Sequence, residues 1–218
     1  MNSVLEKGLE KLGIHLDENQ KSQLETYCRC VLEFNKTYNL MKAENEDELF
    51  VNHVLDSLAA VPHLKNLIKN ESLVADIGSG GGCPGIPLSV AFPENKFILV
   101  ERMEKRCAFL ESTIKEMGLK NVRVFCTVAD DVPAESFDVE VFRAFHPFDK
   151  KITKLLLKML KPKGILAAYK ARSEKIQAEM ESVDFMVKSY EKIPMTVPFL
   201  EDHERNLVIV EKKNTNVR

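Results

Sequence analysis

Apolar residues in the N-terminal part of the chain recur with the spacing of helices. Within Leu24–Leu32 they return every three or four residues, which predicts one buried stripe on a helix. Asp17 and Gln20 have the spacing of a capping box at the start of that helix. A second helix is predicted to start at the acids Glu46–Glu48 and to end at Pro62, because proline cannot continue a helix.

From Leu73 onward, short apolar runs alternate with amphipathic stretches, which predicts a mostly parallel sheet with helices on both faces. The predicted strands are Leu73–Ile77, Lys96–Glu101, Val122–Cys126, Phe137–Phe142 and Gly164–Tyr169, with Asp184–Lys192 and Asn206–Glu211 as candidates to complete a seven-stranded sheet. Helices are predicted at Lys105–Met117 and Ile152–Leu160. We place a domain boundary near residue 65, between an N-terminal helical extension (1–65) and an α/β domain (66–218).

Composition narrows the class of protein. The chain has 218 residues, of which 44% are hydrophobic and 29% charged, as in a globular protein of one domain with a small appendage. It has no apolar run of the roughly 18–20 residues that a membrane helix needs, and its start lacks the apolar region of a signal peptide. We therefore expect a cytoplasmic protein without a membrane partner. We also expect a monomer, although no feature of the sequence determines the oligomeric state.

Five cysteines, at positions 28, 30, 83, 107 and 126, form no CxxC pair and no cluster with zinc-finger spacing. Cysteines in a reducing cytoplasm are ordinarily free thiols. We therefore expect five free thiols and no bound metal.

Charge is unevenly distributed along the chain. The net charge is −2, yet the stretch from Arg143 to Lys175 contains ten Lys or Arg and two acids. Such a concentration is typical of a surface that meets a polyanion, and it is equally typical of a solvated helix face with scattered lysines. Charge alone leaves both interpretations open.

The glycine-rich stretch VADIGSGGGCPGIP (Val74–Pro87) follows a predicted strand and precedes a helix. The dinucleotide fingerprint G-x-G-x-x-G is matched by Gly80, Gly82 and Gly85. The pattern D-x-G-x-G is matched by Asp76, Gly78 and Gly80, and it favours a nucleoside cofactor without a pyrophosphate, since an acid at this point would repel one. In S-adenosylmethionine enzymes an acid here lies near the cationic amino-acid end of the cofactor. A purely structural turn is the alternative.

Acids also follow the next two strands. Glu101 ends the second strand about 20 residues past the glycines, where such folds place an acid on a ribose diol. Ala129 and Asp130 follow the third strand, where adenine contacts are expected. The alternatives are a charge at the start of a helix for Glu101 and the cap of a turn for Asp130.

Several longer segments together resemble the bacterial GidB/RsmG family, methyltransferases that act on a guanine N7 of 16S ribosomal RNA. They are FNKTYNL (Phe34–Leu40), NHVLDSL (Asn52–Leu58), DIGSGGGCPGIPL (Asp76–Leu88), KRCAFLE (Lys105–Glu111), FRAF (Phe142–Phe145) and LKPKG (Leu160–Gly164). The resemblance runs nearly end to end and implies a Rossmann-like S-adenosylmethionine-dependent methyltransferase with a helical N-terminal extension.

The resemblance also implies site residues. Carried over by position, the cofactor contacts are Gly78, Cys83, Ala129, Asp130 and Arg143, which add to Asp76, Gly80 and Glu101 from the patterns above. Some positions depart from the family: Glu101 stands where Asp is usual, Cys83 replaces a larger apolar residue, and Phe142 replaces a small one. The longer carboxylate of Glu101 is still expected to reach a ribose diol.

Methyl transfer to guanine N7 is an in-line displacement onto a lone pair that carries no proton, so we expect no general base. Arg143 is the residue that we assign to the active site. Its candidate partners are the guanine O6, an RNA phosphate and the cofactor, and a structural ion pair is the alternative. His53 and Asp56, one helical turn apart, either meet this site or form a structural hydrogen-bonded pair.

The resemblance gives the basic stretch a partner, the 16S ribosomal RNA of the small subunit. The residues predicted to contact this RNA are Lys150, Lys151, Lys154, Lys170 and Arg172. Lys and Arg contacts to phosphates position RNA and make binding depend on salt.

Three other functions stay open. A methyltransferase for a small molecule or a protein would have no use for the basic stretch. A non-catalytic ribosome-assembly factor would keep the fold without binding a cofactor, and it would not need Gly78, Glu101, Asp130 and Arg143. An NAD oxidoreductase would need a paired acid and base for hydride transfer, which the sequence does not show.

Overall fold

A computed structural model describes residues 2–213 of the chain. In this range seven strands form a sheet in the order β3-β2-β1-β4-β5-β7-β6. The strands are β1 (Leu73–Ile77), β2 (Lys96–Glu101), β3 (Val122–Cys126), β4 (Phe137–Arg143), β5 (Leu160–Lys170), β6 (Val187–Met195) and β7 (Arg205–Lys212). The pairs among β1–β5 are parallel, whereas β7 is antiparallel to β5 and β6. The predicted mostly parallel, seven-stranded sheet is confirmed.

Helices cover both faces of this sheet. They are α1 (Ser3–Leu12), α2 (Glu18–Asn35), α3 (Glu46–Leu49), a π-helical stretch (Phe50–Leu55), α4 (Asp56–Leu58), α5 (Val61–Leu64), α6 (Gly85–Ala91), α7 (Glu104–Glu116), α8 (Lys150–Met159) and α9 (Ser173–Glu181), with short 3₁₀ turns at Ala129–Asp131 and Asp184–Met186. None of the helices within residues 2–213 is both long enough and apolar enough to cross a membrane.

The two faces carry separate hydrophobic clusters, because successive side chains of a strand point to opposite faces. Val141 of β4 joins one cluster and Phe142 joins the other. The N-terminal helices, α6 and α7 pack into the first cluster, which also contains Leu55 and Tyr169. α8 and α9 cover the second. The N-terminal segment therefore shares a core with the sheet, and the division at residue 65 stays a prediction.

Local patterns account for the start of α2 but not for the end of the next helical segment. Asp17 and Gln20 form the expected capping box, with each side chain accepting from the other residue's amide at 2.8 and 2.9 Å. The prediction that a helix ends at Pro62 is wrong. The preceding helical segment ends at Leu58, and Pro62 lies in the first turn of α5, where no hydrogen bond needs its missing N–H.

β5 begins four residues before its predicted start at Gly164, directly after α8. Leu160 pairs with Phe137, and the next pair is Ile165 with Val139, so the residues between them form a bulge. A bulge tolerates Pro162, which cannot donate to a ladder. Regular pairing with β4 therefore starts after the bulge, at Ile165, next to the predicted strand start at Gly164.

The expectation of five free thiols is wrong for two cysteines. Cys107, in the first turns of α7, and Cys126, the last residue of β3, form a disulfide with a Cα–Cα distance of 5.8 Å. Cys28, Cys30 and Cys83 are free. The two partners are 19 residues apart, and α7 runs back along the sheet so that they meet. Sequence spacing alone carries no mark of this pairing.

Candidate active site

The glycine-rich loop joins β1 to α6 at the carboxyl edge of the sheet. Gly78, Gly80 and Gly82 have φ angles of 73°, 57° and 99°, a region that residues with side chains rarely adopt. The amides of Gly78 and Ser79 donate to Val100 O on β2, at 2.8 and 3.1 Å. A Cβ placed on Gly80 would meet no atom closer than 3.9 Å. A ligand can therefore approach the loop backbone at Gly80.

Asp76, near the end of β1, is buried beside this loop, with an exposed fraction of 1%. Its Oδ2 accepts a hydrogen bond from the Gly85 amide at 2.9 Å, while Oδ1 has no hydrogen-bond partner within the described part of the chain. Burial raises the pKa of Asp76 to about 7. A buried carboxylate with one free oxygen is suited to a cationic ligand group, because a positive charge would offset the cost of its burial.

Glu101, the last residue of β2, is 4% exposed and lies across from the glycine loop. Its Oε2 accepts from the Gly80 amide at 2.9 Å, and its Oε1 accepts from the amides of Arg102 and Met103, both at 2.9 Å. The carboxylate thus ties the glycine loop to the end of β2. Each carboxylate oxygen has two lone pairs, so Oε2 keeps capacity for a ligand hydroxyl.

Ala129 and Asp130 lie in the 3₁₀ turn that follows β3. Glu101 pairs with Cys126 in the sheet, and the Thr127 amide donates to Glu101 O at 2.9 Å, so this loop starts next to Glu101. The backbone oxygen of Asp130 accepts from Lys158 Nζ at 3.0 Å. The third predicted cofactor segment therefore lies at the same sheet edge as the other two.

Cys83 is buried, and its side chain faces the N-terminal helices. The Tyr27 hydroxyl donates to Gly81 O at 2.8 Å and lies 3.1 Å from Cys83 Sγ. Burial raises the pKa of the Cys83 thiol, so the thiol stays protonated at neutral pH. This environment does not support a nucleophilic cysteine, and it links the glycine loop to α2.

Arg143, the last residue of β4, belongs to an ion-pair network centred on Asp56. Its Nη1 donates to Asp56 Oδ2 at 2.5 Å and to Asn52 O at 3.2 Å. The other carboxylate oxygen of Asp56 accepts from Arg205 Nε at 2.9 Å. Asp56 is 3% exposed, so one buried carboxylate lies between two guanidinium groups. The network connects the N-terminal helices to the ends of β4 and β7.

His53 belongs to this network as a neutral side chain. Arg143 Nη2 lies 2.9 Å from His53 Nδ1, and His53 Nε2 lies 3.2 Å from Lys42 O. Arg143 is always a donor, so Nδ1 accepts and Nε2 donates. Burial, followed by the charge of Arg143, lowers the pKa of His53. Within the described residues, His53 and Asp56 thus each bond to Arg143 and not to each other, so the interpretation of a hydrogen-bonded His53–Asp56 pair is wrong, and both residues line the cavity beside Arg143.

A cavity of about 600 Å³ lies against this network. Its walls are Asn52, His53 and Asp56 from the helical segment, Phe142–Pro147 at and after the end of β4, Tyr169–Ala171 at the end of β5, Glu179 of α9 and Arg205 of β7. Phe145 also packs on Gly78, so the cavity adjoins the glycine loop. In α/β folds, ligands bind at the carboxyl ends of the strands, which is where this cavity lies.

Sequence reasoning missed three residues of this site. Arg205 supplies the second ion pair to Asp56, and Tyr169 donates its hydroxyl to Ser57 O at 2.7 Å, which fixes the helical segment to β5. Phe145 lies inside the FRAF segment but had no role of its own. The patterns around Arg205 and Tyr169 predict only strand ends, so the sequence offered no basis for finding their contacts.

The predicted RNA-contacting residues fall into two groups. Lys150, Lys151, Lys154 and Arg172 are exposed, the three lysines on the first turns of α8. Lys170 is instead ion-paired with Glu179 at 2.7 Å, and its Nζ also donates to His146 O at 3.1 Å. Lys170 therefore contributes to the cavity wall rather than to the open surface.

Solved structures share this fold. The tRNA (m1A58) methyltransferase TrmI from Aquifex aeolicus superposes with a TM-score of 0.58 at 18% identity, over 74% of this chain and 69% of that one. A SAM dependent methyltransferase from Aquifex aeolicus superposes with a TM-score of 0.53 at 17% identity, over 71% and 92%. Sheet order and neighbours together define the class of fold, a Rossmann-like fold that these methyltransferases share.

Sequence similarity places the chain more narrowly within that class. Residues 20–208 match the family model GidB, described as rRNA small subunit methyltransferase G. A Treponema denticola protein named ribosomal RNA small subunit methyltransferase G is 38% identical over 241 residues, covering 97% of this chain and 94% of that protein. An Actinobacillus pleuropneumoniae protein of the same name is 32% identical, covering 98% and 100%. The chain belongs to the GidB family, as its motifs predicted.

Proposed function

We propose that this protein transfers a methyl group from S-adenosylmethionine to N7 of a guanine in 16S ribosomal RNA. Membership of the GidB family and the names of its relatives support RNA of the small ribosomal subunit as the substrate. The observation that carries the proposal is an adjacency at one sheet edge. A glycine loop with two buried carboxylates lies directly beside a cavity whose floor is an Arg–Asp–Arg ion-pair network.

The residues at the glycine loop fit S-adenosylmethionine. Asp76 has an unpartnered, buried oxygen suited to the ammonium of the amino-acid end. Glu101 is suited to a ribose diol, and the loop of Ala129 and Asp130 follows the neighbouring strand, where the adenine is expected. When bound, the cofactor supplies an electrophilic methyl group on a sulfonium. The chain's own task is to hold it and to exclude water.

The target side requires positioning rather than proton transfer. N7 carries no proton, so no side chain needs to act as a base. Methylation makes the base cationic, and a net positive cavity would oppose the reaction. Asp56 offsets the charges of Arg143 and Arg205, and Glu179 offsets that of Lys170. We assign Arg143 to positioning: it holds the cavity wall together and leaves the field around the base only weakly positive.

The exposed basic residues support RNA as the partner at this edge. Lys150, Lys151 and Lys154 lie on α8, which follows the segment that leaves the cavity after β4. Arg172 lies just past the end of β5 and directly follows the cavity residue Ala171. Phosphate contacts from this surface would place the RNA at the mouth of the cavity. A guanine within a folded RNA must leave its stack to enter, as in other base-modifying enzymes.

The test incubates the purified protein with radiolabelled S-adenosylmethionine and small ribosomal subunits from a strain that lacks the modification. Borohydride–aniline cleavage then maps any N7-methylguanine in the 16S RNA. We expect one cleavage site with the wild-type protein and none with the Arg143→Gln variant. Lys69→Gln, an exposed change in the segment before β1, is the matched control and is expected to keep the site.

Each alternative function predicts a different result in this experiment. Cofactor binding without labelled RNA would overturn the proposal in favour of a methyltransferase with another substrate. No cofactor binding in equilibrium dialysis would overturn it in favour of a ribosome-assembly factor. Label in RNA at a position that resists aniline cleavage would retain the methyltransferase but exclude N7 as its target.

A further inference from the structure

The aromatic ring of Phe145 joins the glycine loop to the cavity. Ala144 has a φ of 53°, a left-handed turn that directs the chain away from β4 after Arg143. The turn places Phe145 on the backbone of Gly78. The two are so close that a Cβ added to Gly78 would lie 2.5 Å from Phe145 Cδ2. The same side chain lines the cavity beside Arg143 and the end of β5.

The other phenyl and phenol rings at the cavity, those of Phe142 and Tyr169, are committed elsewhere. Phe142 is 1% exposed within the second hydrophobic cluster, and Tyr169 is 5% exposed with its hydroxyl bonded to Ser57 O. Phe145 is only partly buried. It meets Phe142 and His146 in edge-to-face geometry, with centroid distances of 6.0 and 4.8 Å. Phe145 therefore keeps part of its side-chain surface exposed at the cavity, where a base could stack.

Most of the other residues in the cavity wall are charged or polar, chiefly Asp56, Arg143, Arg205 and the Lys170–Glu179 pair. An aromatic side chain in such a cavity would strengthen the binding of a flat, electron-rich purine. Stacking on an aromatic ring is favourable for every base and strongest for large ones. Once methylation makes the purine cationic, a cation–π interaction with the ring face would bind it still more tightly.

We propose that Phe145 is a specificity-determining residue whose ring stacks on the target purine next to the bound cofactor. This inference rests on the proposed function and deepens it. It assigns base selection to a residue that contacts the glycine loop and lines the cavity, while the ion-pair network supplies charged groups to the same cavity. Stacking on the ring favours purines over pyrimidines because a purine has the larger ring area. Polar side chains of the cavity that contact the edge of the base would then distinguish guanine from adenine.

The chain contains no tryptophan, so Phe145→Trp introduces its single indole fluorophore. The probes are the 5′-monophosphates of 7-methylguanosine, guanosine and uridine. We expect quenching that decreases in that order. Tyr190→Trp, at an exposed position (42%) on β6 outside the cavity, is the control and is expected to show only weak quenching by all three nucleotides. Equal quenching of the Phe145→Trp variant by all three nucleotides would overturn the stacking role. This binding test does not depend on methylation of the subunit.

Kinetics give the second test. Phe145→Leu keeps an apolar side chain on Gly78 but removes the ring, so folding and cofactor affinity are expected to be unchanged. We expect kcat/KM for the ribosomal subunit to fall about tenfold to a hundredfold, and Phe145→Tyr to restore it. Full activity of Phe145→Leu, or an equal loss in cofactor affinity, would overturn the inference and leave the ring a support for the loop. Failure of the unmodified protein to form N7-methylguanine would instead overturn the proposed function.

Discussion

The two halves of the carboxyl sheet edge are held together in different ways. The cofactor half, which comprises the glycine loop, Glu101 and the Cys107–Cys126 disulfide, is built from contacts close in sequence. Asp76 and Gly85 are 9 residues apart, and Gly80 and Glu101 are 21 apart. The cavity half, which comprises Asp56, Arg143 and Arg205, joins residues 87 and 149 positions apart.

This difference predicts which changes should destabilise each half. In the cofactor half, carboxylates accept from backbone amides of one stretch of chain, and a covalent bond closes the region. In the cavity half, a buried carboxylate connects three distant segments through charged hydrogen bonds. Removing one charge from this network leaves its partners buried and unpaired. In the cofactor half, cofactor affinity and stability instead depend on the protonation state of Asp76 and on the disulfide.

The largest effect is expected for Asp56→Ala. The variant leaves Arg143, whose side chain is 18% exposed, and Arg205 without their shared carboxylate. We expect the free energy of unfolding to fall by about 3–5 kcal/mol in urea denaturation, because an uncompensated charge stays buried. The matched control is Glu33→Ala, which removes an exposed ion pair with Lys36 and is expected to cost less than about 1 kcal/mol. Equal costs would contradict the asymmetry between the two kinds of pair.

Reduction of the disulfide is the corresponding change in the cofactor half. Thiol titration of the denatured, unreduced protein is expected to find the three free cysteines, and five after reduction. Cys126→Ser should lower the free energy of unfolding by about 3 kcal/mol, since the bond closes a loop of 19 residues. Cys30→Ser, at a free and half-buried position, serves as the control. Five thiols before reduction would show that the pair is open.

The pKa of Asp76 predicts the pH dependence of cofactor binding. Because burial raises this pKa to about 7, the carboxylate that attracts a cation is the minor form at acidic pH. We expect cofactor affinity, measured by calorimetry, to rise roughly twentyfold from about pH 5.5 to about pH 7.5. Asp76→Asn should bind weakly at every pH, and Asp202→Asn, an exposed change away from the cofactor segments, should keep the normal profile.

The stability of the cofactor-free protein should show the opposite trend. The raised pKa means that the folded state favours protonated Asp76, so its contribution is fully present below about pH 4 and is lost as pH rises through about 7. Thermal unfolding of Asp76→Asn should therefore lose less stability over this range than the unmodified protein. A parallel decline in both proteins would assign the pH dependence to another group.

The smallest effect is expected at the α8 surface. The triple variant Lys150→Gln, Lys151→Gln and Lys154→Gln should weaken binding of the ribosomal subunit by about tenfold and flatten its salt dependence, with cofactor affinity unchanged. The control carries the same charge change at Lys65, Lys69 and Lys120, which are exposed in the segments before β1 and β3. If both triple variants bind equally, the α8 lysines are a solvated face rather than an RNA contact.

Much of the fold could be predicted because its information is local. The strands β1–β4 and the glycine loop appear as contiguous apolar runs and glycines whose φ angles only glycine adopts easily. The predictions that failed concern interruptions. Pro62 starts α5 instead of ending a helix, and the residues before Gly164 form a bulge in β5. In both places, tertiary pairing decided between two conformations that the local sequence permits.

By itself, the sequence determined the class of fold and the residues of the glycine loop, since periodicity and backbone preference act over a few residues. Only the tertiary structure decided what Arg143 touches, that Arg205 shares Asp56 with it, that Phe145 covers Gly78, and that Cys107 meets Cys126. The physical reason is distance along the chain. Such contacts depend on which strand ends and helices the core brings to one edge, and no spacing in the sequence encodes that arrangement.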